Sequence, residues 1–354
     1  MQQVRINQPL LGEGEAAAVL DVMRSGVLTD SGRAGGPMVR RFEGAVRERT
    51  GARHCVAVSS GTAALWAAIT ALEISGGIMM PSFTHASTAN AAHFAGCRPA
   101  FADIDPETYT MDAARPGPGT AGIIPVHLYG HVARVGPYLD AHVPVTEDAA
   151  QAPGSRGAGR TGHAGIFSFY PGKVCTTGEG GAVICDDAGL YERLPDVRNH
   201  GSGETPGMNL RMPETCAAMG CVQMGRLDGF LERRRHNARM LCDLLGESVA
   251  APEYDPDCNY GLFTVSSPRR DAIRAALHGR GIQAATYYDP PVHALGRFPY
   301  APLPNTESAA GRVPSIPVHP GVTDATIHGM CRTIRDACWG DARRPGACGA
   351  PAAA

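Results

Sequence analysis

The chain has 354 residues, a net charge of −2 with histidine neutral, 44% hydrophobic and 19% charged residues. That is the composition of a soluble globular protein, with chain enough for two to three domains. No basic block faces nucleic acid or anionic lipid, and no apolar run approaches the ~20 residues that cross a bilayer, so neither partner is expected.

Ala16, Val19, Leu20 and Met23 recur at helical spacing over 13–25, and Gly26 stops the pattern. A polar, glycine-rich loop at 27–36 leads to a second helix over 37–49. Strand and helix signals then alternate: strand 54–58, helix 59–72, strand 77–80 closed by Pro81, helix 87–96, and strands 101–104, 122–128 and 143–147. Segment 113–121 is too rich in Pro and Gly for a helix. Apolar runs at 166–169 and 182–185 read as two more strands. The alternation predicts an α/β fold, a doubly wound and mostly parallel sheet between helices. From 214 to 245 the chain reads as one long helix, with LERRRHNAR as its solvated face. A break at 250–258 precedes a strand (260–266), a helix (269–280), a strand (282–288) and a last helix (323–338). The expected division is a large domain over 1–245, a smaller C-terminal α+β domain over 246–340 and a low-complexity, disordered tail over 341–354.

The N-terminal stretch lacks the charged-then-apolar order of a signal peptide. The 11 cysteines are odd in number and never spaced C-x-x-C. They read as reduced thiols of a cytoplasmic protein, not as a disulfide framework or zinc site. The 13 histidines form no H-E-x-x-H or comparable cluster, so no metal is expected.

Lys173 is the chain's one lysine; every other basic side chain is arginine. A guanidinium keeps its proton in proteins, whereas an amine can lose it and condense with an aldehyde. Pro171-Gly172 breaks the strand before Lys173, and a small-residue turn, Thr176–Gly181, follows, so the amine sits on a bend that a ligand can reach. The alternative is a leftover surface lysine. Ser59-Ser60-Gly61-Thr62 joins a strand to a helix N-terminus, which suits a phosphate or simply a helix cap. Asp148 stands at the carboxyl end of a strand, where open sheets bind ligands, or is a turn residue. An imine-forming amine and a carboxylate that keeps a ring nitrogen protonated are what a pyridine-based electron sink requires. Gly157-Ala-Gly159-Arg-Thr-Gly162 matches a dinucleotide fingerprint, but no strand precedes it and a strand, not a helix, follows. It reads as a loop. His54, His93, His127 and His131 read as structural.

PLLGEGE, SSGTAAL, PSFTHASTANAAHFAG, FADIDPETYTMD, IIPVHLYG, EDAAQAPGS, FSFYPGKVCTTGEGG, RNHG, GMNLRM and SIPVHPGVTD stand in this order from about residue 7 to 338. Together they resemble the DegT/StrS-type sugar aminotransferases, pyridoxal-phosphate enzymes of fold type I, whose large domain holds a seven-stranded-type sheet. The resemblance implies that Lys173 forms the imine (Schiff base) with the cofactor and shuttles protons. It implies that Asp148 pairs with the ring nitrogen, Gln151 with the ring hydroxyl, and Gly61, Thr62 and Ser168 with the phosphate. His85 takes the position of the stacking aromatic, with Phe83 as the fallback. Asn209 serves the phosphate site of the other subunit, so a homodimer with shared active sites is implied. The implied amino donor is glutamate or glutamine. The acceptor is a keto-sugar, usually nucleotide-linked, or a keto-cyclitol, in an antibiotic or surface-glycan pathway. A dehydratase of the same family is the nearest alternative, disfavoured because its members replace the lysine with histidine. A non-catalytic relic or regulatory subunit is the other, disfavoured by the intact Lys173, Asp148 and Gln151. Acceptor choice falls to loops 27–36, 202–208 and 288–304, and Tyr287, Tyr288 and His293 are either substrate-side or packing residues.

Overall fold

The computed structural model describes residues 3–112, 115–203 and 205–339. The expected tail at 341–354 lies outside them. Seven strands supply the main sheet: β1 (His54–Val58), β2 (Gly77–Pro81), β3 (Arg98–Ala102), β4 (Thr120–Ile123), β5 (Thr146–Asp148), β6 (Ala164–Ser168) and β7 (Gly181–Cys185). β3, β2 and β4 pair in parallel, as do β5 and β6, while β7 runs antiparallel to both β6 and β1. Parallel bridges Ile123↔Val145 and Val126↔Asp148 join the two halves. The order is therefore β3–β2–β4–β5–β6–β7–β1, with one reversed strand, and the mostly parallel expectation holds. β2, β6 and β7 are buried along their whole length, which is why they read as unbroken apolar runs in the sequence.

Side chains alternate across the sheet and make two cores. Ile166 and Val183 pack with helices α3 (Gly61–Ala71), α4 (Ala86–Phe94) and α6 (Ala188–Arg198). Phe167, Ala182 and Ile184 pack on the opposite face against α2 (Pro37–Thr50) and α7 (Glu214–Leu245). α1 (Glu13–Ser25) lies against α7, and α5 (Gly136–Leu139) is a single turn before β5. At 1.5 Å per residue α7 is about 48 Å long. Its first half packs in the second of these cores. Its last turns, through Ala238, Leu241 and Leu245, pack with α8 (Arg270–His278), α10 (Asp324–Trp339) and the short pair β10 (Phe263–Thr264) and β11 (Ser315–Ile316).

Three expectations change. The strands predicted at 260–266 and 282–288 shrink to β10 and to single bridges, Val4↔Ile282 and Ala285↔Ser315. The cause is a partner, β11, of two residues, with prolines on both sides of it and at 290–291. Helices α5 and α6, the hairpin β8 (Asn199–Ser202) with β9 (Thr205–Asn209), and α9 (Pro304–Arg312) have no counterpart among the predicted elements; α5 is only one turn, α6 carries Pro195 in its interior and α9 starts on a proline. The run LERRRHNAR is not simply a solvated face. Arg234 is buried and donates to the carbonyls of Tyr260 (2.9 Å) and Gly261 (3.2 Å), and buried Asn237 donates to those of Val318 and His319 at 3.2 Å.

The glycine-rich 157–162 loop has an internal anion to hold. N–H groups of Gly159 (3.1 Å), Thr161 (2.6 Å) and Gly162 (2.6 Å) donate to the Glu147 carboxylate, and His127 Nε2 donates from 2.7 Å. Both side chains are fully buried. Burial pushes the Glu147 carboxyl up, but His127 and the loop amides outweigh it and hold it below its ordinary 4.5. A carboxyl whose folded pKa is depressed stabilises fully above its unfolded value and loses this as pH falls through the folded one. Glu147→Gln is therefore expected to cost on the order of 3 kcal/mol at pH 7 in urea unfolding, and to flatten the decline of stability that wild type shows below pH 4.5. A cost below about 1 kcal/mol would refute this account of the loop.

Candidate active site

A cavity of about 560 Å³ opens at the carboxyl ends of the parallel strands, the position that open α/β sheets reserve for ligands. Each strand end supplies a wall. β1 passes into α3 through Ser60, whose hydroxyl caps the helix by accepting from Ala63 N–H at 3.1 Å. Gly61 and Thr62 then bring the first-turn N–H groups and the positive end of the helix dipole to the cavity. β2 leads to Thr84 and His85, β5 ends on Asp148, and β6 ends on Ser168. A Cβ on Gly61 would lie 2.7 Å from Ser168 Cβ, and one on Gly181 would lie 2.2 Å from the Ser60 carbonyl oxygen. Glycine at both positions lets the helix N-terminus sit directly on the ends of β6 and β7.

The bend carrying Lys173 closes on itself. Phe169 N–H donates to the Gly180 carbonyl, and the Phe169 carbonyl accepts from Thr177 N–H and Thr176 Oγ1, each at 2.9 Å. Buried Gln223 of α7 accepts from Thr176 N–H (3.3 Å) and donates to Glu15 of α1 (2.6 Å), tying the bend to two helices. Burial lowers the Lys173 amine below its ordinary 10.5, and the charge of Asp148 opposes that shift. Asp148 accepts from Ala150 N–H at 3.1 Å through Oδ1 and from Thr88 Oγ1 at 2.9 Å through Oδ2. Gln151 Oε1 accepts from Tyr129 N–H at 3.0 Å, and its Nε2 donates to Tyr288 Oη at 2.7 Å.

Seven of the eight residues expected at the site line this cavity: Gly61, Thr62, His85, Asp148, Gln151, Ser168 and Lys173. The eighth, Asn209, sits exposed on β9 and does not line it. His85 stands at the lip as the N-cap of α4, where burial lowers its pKa, with the charge on Lys173 adding to the shift and Asp148 opposing it. The fallback, Phe83, does not line the cavity. It is fully buried in an aromatic cluster, edge-on to Tyr288 at 5.3 Å and to Tyr129 at 6.4 Å. Tyr287 and Tyr288 do line it, whereas His293 is buried away from it, 2.6 Å from Ser82 Oγ. The sequence reading missed Asn7, Thr84, Tyr170, Gly261 and the buried Thr88. Asn7 and Gly261 arrive from distant parts of the chain; only the i, i+4 spacing of Thr84 and Thr88 was a local signal.

Residues 9–335 match the sequence profile of the DegT/DnrJ/EryC1/StrS aminotransferase family. The chain belongs to that family. It is 37% identical to the dTDP-3-amino-3,4,6-trideoxy-alpha-D-glucose transaminase of Streptomyces venezuelae, over 82% of this chain and 85% of the relative. It is 34% identical to the UDP-N-acetyl-3-dehydro-alpha-D-glucosamine 3-aminotransferase of Acidithiobacillus ferrooxidans, over 87% and 91%. The crystal structure of S. venezuelae DesV in complex with a ketimine intermediate superposes with a TM-score of 0.86 at 32% identity, covering 92% of this chain and 94% of that one. The fold is that of the fold type I transferases, the cofactor is pyridoxal 5′-phosphate, and the reaction is transamination.

The cavity fits that cofactor on its own evidence. It offers an amine, a carboxylate with one protein donor on each oxygen and lone pairs to spare, and a helix N-terminus pressed against Ser168. Because Lys173 is the single lysine, reductive ¹³C-methylation gives one lysine resonance. In the cofactor-free protein its midpoint is expected below 10.5, and Asp148→Asn is expected to lower it further by removing the opposing charge. A midpoint at or above 10.5 would overturn this reading of the cavity's electrostatics.

Proposed function

We propose that this chain moves an amino group from L-glutamate or L-glutamine to a nucleotide-linked keto-sugar, working in the cytoplasm as a homodimer in an antibiotic or glycan pathway. The observation that carries this is the meeting of the single lysine with Asp148 in one buried cavity beside a helix N-terminus. The UDP- and dTDP-linked sugars in the names of relatives at 34% and 37% identity support a nucleotide-linked acceptor.

Bound pyridoxal phosphate supplies an aldehyde and a pyridinium ring that accepts the electron pair of a broken C–H bond. Lys173 Nζ would hold the aldehyde carbon and, once the donor's amine had displaced it, would carry the proton from the donor's α-carbon to the cofactor carbon that gains the amino group. An arginine could do neither, and the lowered pKa of this amine enlarges its unprotonated fraction. Asp148 keeps the ring nitrogen protonated. The N–H groups of Gly61 and Thr62, with Ser168 Oγ, hold the phosphate dianion. Gln151 would meet the ring oxygen, and His85 would be the side chain to stack on the ring. Asn209, exposed on its hairpin, serves the cavity of a second copy. The exposed apolar side chains Leu20, Met23, Val27, Leu28 and Met208 offer surface for that contact.

The test is half-reaction spectroscopy on protein loaded with pyridoxal phosphate. Wild type should show a visible band abolished by borohydride and converted by L-glutamate or L-glutamine, and Lys173→Ala should show neither conversion nor borohydride fixation. Gly61→Ala, which forces α3 off Ser168, should weaken cofactor binding at least about tenfold while the protein still folds. Conversion by Lys173→Ala at the wild-type rate would remove the lysine from the mechanism.

A further inference from the structure

Helical threonines usually turn their hydroxyl back to the carbonyl four residues earlier. Thr50 and Thr333 of this chain do so, donating to Val46 and Gly329 at 2.8 Å. Thr88 does not. Fully buried near the start of α4, it places Oγ1 2.9 Å from Asp148 Oδ2 and 3.2 Å from Thr84 Oγ1. An ionised carboxylate only accepts, so Thr88 donates to Asp148 and must accept from Thr84. The direction of the relay is thereby fixed, from Thr84 through Thr88 to Asp148. Thr84 is itself buried and lines the cavity.

We propose that Thr88, backed by Thr84, is a positioning residue that orients the Asp148 carboxylate and keeps it ionised against the ring nitrogen of the cofactor. The proposal rests on the reading of Asp148 given above. Hydrogen bonds to charged acceptors are the strong ones, and a hydroxyl that itself accepts a hydrogen bond donates more strongly. With Ala150 N–H on Oδ1 and Thr88 on Oδ2, each oxygen has one fixed donor, and the plane of the carboxylate is set before any ligand arrives. Without the Thr88 hydroxyl, Asp148 is a stronger base and draws the ring proton toward itself. The ring then carries less positive charge, and the group joined to Lys173 holds its own proton to higher pH.

Three variants loaded with pyridoxal phosphate test this: Thr88→Val, which keeps the shape and removes the hydroxyl, Thr88→Ser, which restores it, and Asp148→Asn. The readouts are the pH midpoint of the visible band, kcat and KM for the amino donor, and the melting temperature of the cofactor-free protein. Thr88→Val should raise the midpoint by about one unit and lower kcat about tenfold, with KM changed less than about twofold. Thr88→Ser should return both to wild type. If Asp148→Asn moves the midpoint and Thr88→Val does not, the relay is refuted and the reading of Asp148 stands. If Asp148→Asn leaves it unmoved, the reading of Asp148 fails and the relay with it. If Thr88→Ser shifts it as far as Thr88→Val, the hydroxyl is not the cause and the proposal falls. A lower melting temperature with an unmoved midpoint would make Thr88 structural only.

Discussion

Lys173 and Asp148 bring opposite charges to one cavity, and burial and attraction pull the amine in opposite directions. Burial alone would leave a neutral amine with no tether to the carboxylate. Attraction alone would leave a fully protonated one with no nucleophilic lone pair. The balance needs both groups at the same end of the sheet, and that is a matter of register. Asp148 pairs with Ile166 across β5 and β6, so Ser168 and the lysine bend emerge just beyond it. One residue of slippage would turn every side chain of β5 to the opposite face.

The neighbour of Asp148 shows what that other face is for. Glu147 and Asp148 are adjacent carboxylates, yet one is sealed against His127 and three loop amides while the other meets the cavity. Both are buried, and their chemistry differs because their donors do. Glu147 accepts from four protein N–H groups and has nothing left for a ligand. Asp148 accepts from two donors, one on each oxygen, and keeps lone pairs free. The glycine-rich motif belongs to this division of labour. Its amides form an anion-binding loop of the kind that often takes a phosphate, but here the anion is supplied from within the chain.

What the sequence made legible follows strand ends. Lys173, Asp148, Gly61 and Thr62 each stand just past a recognisable apolar run, whereas Ser168 lies within one and was named only by resemblance; parallel strands bring such strand ends together at one edge. The sheet itself was readable because its central strands are buried on both faces. The remainder depends on contacts that local pattern does not encode. Asn7 and Gly261 reach the wall from opposite ends of the chain, and both neighbour Arg234, which the charge run disguised as surface. The i, i+4 spacing of Thr84 and Thr88 hints that the two hydroxyls meet, but nothing local shows that Thr88 reaches Asp148, 60 residues away. The C-terminal strands were overread because alternation over 260–266 and 282–288 says nothing of how short the partner is; β11 has two residues to offer.

Gln151 makes the same point about donors more sharply. Tyr129 N–H can only donate, so Gln151 must turn Oε1 toward it and Nε2 toward Tyr288. Both tyrosines hold positive φ, 58° at Tyr129 and 65° at Tyr288, a strain on the order of 1 kcal/mol or more at each. Burial also pushes the Tyr288 hydroxyl well above the ordinary tyrosine range, so it meets the amide as a neutral hydroxyl. One N–H of Gln151 is then left for the cavity, and it can only donate. An oxygen facing it is therefore met as a hydrogen-bond acceptor. The two tyrosines thus fix which way the Gln151 amide turns and leave a donor, not an acceptor, for this wall of the cavity.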